Sequence, residues 1–168
     1  PDWPLLCPNS PFLDHARMEV EEVLALGVDA VFLDSFRYQP QFSKACYCPW
    51  CRDRFRRETG AELPEREDWD SALYRRAFMW RYEVNARALR EIKRSMPAGV
   101  PLVYNSHPGG WGGHFNPVVE MARDSIDVVF AECSEADHQP PGFITEMVRL
   151  SRAMSGGKPV LASRNLFH

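Results

Sequence analysis

Apolar residues recur at helical spacing near the start of the chain: Leu13, Ala16, Val20, Val23 and Leu24 share one side of a 3.6-residue repeat. Ser10 offers an N-cap, Pro11 suits the first helical position, and Gly27 closes the helix. The pattern then changes. Asp29–Asp34 (DAVFLD) is almost continuously apolar, which predicts a parallel strand buried on both faces. A loop over 35–48 follows, then a short helix that Pro49 starts, Trp50–Thr59, stopped by Gly60. A long helix is predicted from about Ser71 to Met96, with Asp70 as its candidate cap. Its buried face is wide: Leu73, Ala77, Val84 and Ala88 lie beside a stripe of Phe78, Tyr82, Leu89 and Ile92. Pro97 and Gly99 end it, and Val100–Asn105 (VPLVYN) reads as the second strand. Asn116 and Pro117 open a short helix to about Arg123, and Ile126–Glu132 (IDVVFAE) is the third strand. Phe143, Met147, Leu150 and Met154 mark another helix, stopped by Gly156-Gly157, and Lys158–Ser163 (KPVLAS) is the fourth strand.

Helix alternates with strand, and no hairpin signal or low-complexity linker interrupts the alternation. An α/β fold follows, a parallel sheet with right-handed helical crossovers. No Gly-rich phosphate loop follows any strand, which weighs against dinucleotide binding. The strands fit a doubly wound sheet or a (β/α)8 TIM barrel. A barrel takes about 250 residues. Four strands in 168 residues therefore predict part of one. The expected organisation is a single catalytic-type domain over 1–168, an incomplete barrel with a metal-binding loop at about 44–60.

Composition narrows the function classes. Net charge is −3, so no global basic field argues for nucleic acid or an anionic membrane. The arginines at 52, 54, 56 and 57 read as a solvated helix face, with Phe55 alone turned inward. No apolar run approaches the ~18 residues of a membrane helix, and a cytoplasmic location is favoured. The chain opens with Pro1, so the missing signal peptide carries no weight. A homo-oligomer stays open.

The chemistry-bearing motif is Cys46-Tyr47-Cys48-Pro49-Trp50-Cys51, three thiols in the spacing C-x-C-x2-C, with Cys7 upstream in Cys7-Pro8-Asn9-Ser10-Pro11. Four thiolates match a closed structural zinc site. Five cysteines is an odd count for a disulfide framework, and Cys46 and Cys48 do not easily bond across one residue. Zinc held by Cys7, Cys46, Cys48 and Cys51, with Cys133 free, accounts for the count better. The spacing is not the C-x3-C-x2-C of radical iron–sulfur enzymes. A zinc-dependent hydrolase is disfavoured, because four thiolates leave the metal no position for water.

Parallel barrels present their active-site groups at the C-terminal strand ends. Those ends carry Asp34, then Asn105-Ser106-His107, then Glu132, then Ser163-Arg164-Asn165. Two carboxylates, an amide, an imidazole and a guanidinium make a polar mouth suited to a polyhydroxylated ligand. Pro108–His114 (PGGWGGH) presents Trp111, a stacking platform for a sugar ring or else a small core under its own loop. Cys133 reads as a packed strand-end thiol. The bland alternative is that Asp34 or Glu132 caps a loop or pairs with Arg37 or Arg164.

The cysteine segments resemble the zinc-bearing part of family 42 β-galactosidases, barrel enzymes with a four-cysteine zinc site near the active site. Phe32-Leu33-Asp34, Cys46–Cys51, Phe55, Gly60 and Tyr104-Asn105 are similar to the barrel family named hypothetical glycosyl hydrolase 6. The resemblance covers about residues 5–135. Family 42 enzymes end their fourth strand in Asn-Glu, where this chain has Leu33-Asp34. If the first strand here is the barrel's fourth, Asp34 and Glu132 resemble the nucleophile and acid/base of retaining α-galactosidase-type barrels. The resemblance thus implies a glycoside hydrolase with structural zinc. Asp34 and Glu132 would be catalytic, and Arg37, Asn105, His107, Trp111 and Arg164 would bind a carbohydrate substrate. The alternative is a non-catalytic carbohydrate-binding or interaction barrel with a zinc-stabilised loop.

Overall fold

A computed structural model describes residues 6–34, 42–106, 117–133 and 140–163. Its elements alternate as the apolar pattern requires. They are α1 (Phe12–Ala25), β1 (Val31–Leu33), α2 (Pro49–Thr59), α3 (Ala72–Ser95), β2 (Leu102–Asn105), α4 (Val118–Met121), β3 (Val128–Glu132), α5 (Phe143–Met154) and β4 (Val160–Ser163). Each strand is shorter than its apolar run, because hydrogen bonding to a neighbour starts one or two residues in. Caps differ by a residue at two places. Ser71, not Asp70, caps α3, its Oγ accepting the Tyr74 N–H at 3.3 Å. At α1 the N-cap is Pro11, while the Ser10 hydroxyl donates to the Cys7 carbonyl at 2.6 Å. Helix α2 ends on Gly60, whose φ of 74° is left-handed and strained for any other residue; its N–H meets the Arg56 carbonyl at 2.8 Å.

The four strands are all parallel and ordered β1-β2-β3-β4. Crossovers of one hand that always add the next strand on the same side place their helices on one face. The core follows from that. Val31 and Leu102 pack with Leu13 and Val20 of α1 and with Ala88, Ile92 and Met96. Tyr104 and Val129 pack with Tyr82, Ala86 and Leu89 of α3 and with Val118 and Val119 of α4, and Met154 of α5 joins them. Leu73, placed by periodicity on the buried face of α3, is exposed.

Two expectations are corrected here. The sheet has four strands among the described residues, with β1 and β4 as its edges, and not the eight of a closed (β/α)8 TIM barrel. Nor, among the described residues, is β1 covered on both faces. Alternation puts Phe32, Val103, Phe130 and Leu161 opposite the helices, where Phe32 and Leu161 are about half exposed. Phe32 and Phe130 meet edge-on across that face, with ring centroids 5.2 Å apart.

Candidate metal centre and strand-end cluster

Cys7 is held by a turn leading into α1, in which its carbonyl accepts both the N–H and the hydroxyl of Ser10. Cys48 is the N-cap of α2 in extended conformation, and Pro49 then sets the first helical residue. Cys51 follows one turn in, fully buried. Phe55, one turn further, packs edge-on against Trp80 of α3 at 5.1 Å. Cys51, Phe55, Leu63, Ala77, Trp80 and Val84 form a core of their own, against which Cys7, Cys46, Tyr47 and Cys48 rest. This small core fixes α2 on α3 and so fixes where the thiols converge. Cys51 faces inward with Phe55, so the inner face of α2 is wider than one side chain.

The Sγ atoms of Cys7, Cys46, Cys48 and Cys51 all lie within 4.8 Å of one another, a group able to hold a metal ion. Cys7 Sγ is 3.2 Å from Cys51 Sγ and 3.7 Å from Cys48 Sγ. A tetrahedral site with metal–sulfur bonds of about 2.3 Å has sulfur–sulfur edges of about 3.8 Å. The thiols therefore fit a tetrahedral metal with small adjustments. Deprotonated without a cation, they would repel one another. The Cys7 thiol is pushed far up by its hydrogen bond with Cys51, by burial and by the Cys51 charge. Burial chiefly raises Cys46, to about 11; a backbone hydrogen bond from Cys48 works against it, and the Cys51 charge adds to it. A bound cation would remove the repulsion and displace these protons.

Outer hydrogen bonds reach the thiol group. Asn9 Nδ2 donates to Cys51 Sγ at 3.4 Å, and Arg54 Nη1 donates to Asn9 Oδ1 at 3.1 Å. Arg54 also bonds Glu58 at 2.9 Å, and Glu58 accepts Trp80 Nε1 at 2.6 Å and Arg87 at 3.0 Å. Burial alone would raise the Glu58 pKa, but the donors Trp80, Arg54 and Arg87 outweigh it and hold it below the ordinary value. The arginines of α2 are only partly a solvated face: Arg52 pairs with Glu65, Arg56 and Arg57 with Asp53, and Arg54 reaches Asn9 beside the thiol cluster. Asn9, Arg54 and Glu58 were not legible as site residues. Neither was Arg81, although a charge at helical spacing between Ala77 and Ala88 on the apolar face of α3 is a usable signal.

The other polar cluster sits where the strands end. Asn105 closes β2 and Glu132 closes β3, while Asp34 directly follows β1. The Asn105 amide donates to Asp34 Oδ1 at 2.8 Å and to Glu132 Oε2 at 2.6 Å. Each N–H of one amide group can serve one carboxylate. Cys133 is a buried strand-end thiol, raised by burial and by the Glu132 charge. Arg37, His107, Trp111 and Arg164 lie outside the described residues.

No protein-family model, curated protein or solved structure matches the chain. The likeness to hypothetical glycosyl hydrolase 6 and to family 42 β-galactosidases is therefore corrected: no match supports it, and the sheet lacks the barrel those families share. The glycoside hydrolase expectation falls with it. In the barrel families of that likeness the two-carboxylate site lies at the mouth of an eight-stranded barrel. Among the described residues the sheet has four strands and no catalytic arrangement is evident; Asp34 and Glu132 share one amide. No helix among the described residues is long and apolar enough to cross a membrane.

Proposed function

We propose that this chain is a non-catalytic binding module whose fold is completed by a structural zinc ion on Cys7, Cys46, Cys48 and Cys51. One observation carries the reading: four thiols from two segments 39 or more residues apart converge within 4.8 Å of one another on a small core. All-thiolate coordination suits zinc and leaves no open position for water, so the ion's role is structural. It joins the turn before α1 to the start of α2, with a reducing cytoplasm keeping the thiols available.

The binding surface in this reading is the strand-end rim. Asp34 and Glu132 supply carboxylate acceptors at one edge, held together by the Asn105 amide, a chemistry that suits the hydroxyls of a carbohydrate. Arg37, His107, Trp111 and Arg164 join them as candidates from sequence. The half-exposed Phe32 and Leu161, on the sheet face away from the helices, favour a protein-interaction module as the second reading.

Elemental analysis of protein purified without added metal tests the first part. About one equivalent of zinc is expected. Less than half an equivalent, with all four thiols freely alkylated in the native state, sinks it. Calorimetric titration with an oligosaccharide panel tests the second part. Wild type should bind at least one member, and Asn105→Ala should bind it at least tenfold more weakly. Silence across the panel in zinc-loaded protein leaves the interaction module as the better account.

A further inference from the structure

Arg81 is fully buried in the middle of α3, and none of its three guanidinium nitrogens meets a hydrogen-bond acceptor. Buried guanidinium groups are almost always paired, because leaving one uncompensated in a protein interior is among the costliest arrangements available. The side chain is not loosely placed. Its guanidinium carbon lies 5.2 Å from the centroid of the Tyr47 ring. A cation–π contact of that kind offsets only part of the desolvation of a full charge. Among the described residues no carboxylate pairs with it.

The ring it stands over belongs to the thiol segment. Tyr47 stands between Cys46 and Cys48 in the chain. Ala77 and Val84, which flank Arg81 on α3, belong to the same core as Cys51, and Cys46, Tyr47 and Cys48 pack on that core. Four thiolates around a divalent ion carry a net charge of −2, spread over the sulfurs. Arg52 stands over the same ring at 5.7 Å, but its side chain is 40% exposed and already paired with Glu65.

We propose that Arg81 is the internal counter-ion of the metal–tetrathiolate centre. This rests on the metal site proposed above. The guanidinium has no acceptor because the charge it answers is that of the loaded site, with the Tyr47 ring holding it in place. Arg81 touches neither the metal nor a sulfur in this account; it is a positioning residue acting through charge. The protein with metal gains a compensated pair, whereas the protein without metal keeps a buried cation that no carboxylate among the described residues pairs with. Metal binding and the burial of Arg81 therefore support each other.

The test uses the full chain and zinc itself. Zinc affinity is measured by chelator competition for wild type, Arg81→Met and Arg81→Lys, at low and at high salt, beside thermal unfolding of each metal-free protein. Methionine keeps much of the length and packing but no charge. Outer-shell changes at metal sites cost about 10–100-fold in affinity, and Arg81→Met should fall in that range at both salt concentrations, since a buried pair is poorly screened. The metal-free Arg81→Met protein should melt no lower than metal-free wild type, because it has shed an uncompensated charge. Arg81→Lys should recover most of the affinity. An Arg52→Met control, at the exposed position, should lose less, and salt should erase that loss. Arg81→Gln serves if the methionine variant does not fold. Unchanged zinc affinity in the uncharged variant overturns the proposal while leaving the metal site standing. So does a lysine variant as weak as the methionine one. Wild type that binds no zinc overturns both together.

Discussion

Cys51→Ser isolates what the metal clip contributes to stability. Cys51 is the most buried of the four thiols, and its Sγ faces Cys7 from 44 positions along the chain. Tying the ends of a loop of that length removes denatured-chain entropy worth about 4 kcal/mol in the chain-entropy model. For a chain of this size each kcal/mol moves Tm by about 2–4 °C, so losing the clip should lower Tm by about 8–16 °C. The serine hydroxyl is a poor zinc ligand and brings a polar group into the Phe55–Trp80 core, so the loss should sit in the upper half of that range. The assay is thermal unfolding followed by circular dichroism, with and without a chelator, alongside zinc content. Wild type should drop on chelation, and Cys51→Ser should start low and not respond. Cys133→Ser alters a buried thiol outside the cluster and should keep both its zinc and its chelator response. The reasoning is refuted if stripping the metal moves wild-type Tm by less than about 2 °C, or if Cys51→Ser melts with wild type.

Two further outcomes follow from the same region. Phe55→Ala opens a cavity beside Trp80 and should cost about 3–5 kcal/mol, read from the denaturant midpoint, and should weaken zinc retention because the same core seats Cys51; zinc held as tightly as in wild type would separate the core from the site. Glu58 is held below its ordinary pKa of 4.5, so its contribution is complete above that value and disappears as pH falls through the lower folded pKa. Stability measured from pH 6 to pH 2 should therefore fall less steeply below about pH 4.5 in Glu58→Gln than in wild type, and parallel curves would contradict the assignment.

The order of helices and strands was legible because each element carries its own period: the stripe of α1, the wide face of α3, and the apolar runs of β1 to β4. The thiol set was legible too. C-x-C-x2-C with an upstream cysteine is dense enough in one residue type that metal chemistry explains it better than packing. The strand-end residues Asp34, Asn105 and Glu132 could be named from sequence, because a parallel strand has one end at which polar side chains gather. Local pattern does not state how many strands a sheet gathers or whether it closes. A run such as VVFA reads alike in a barrel and in an open four-stranded sheet, so the barrel expectation, and the glycosidase built on it, had no support in the residues themselves. Nor does it state which faces are covered: Phe32 and Leu161 look like core in sequence and lie on the side away from the helices. Only the tertiary structure joined Asn105 to both carboxylates, seated Asn9 on Cys51, and placed Arg81 on the ring between Cys46 and Cys48. Each of these depends on contacts between residues far apart in the chain, where no local periodicity carries information.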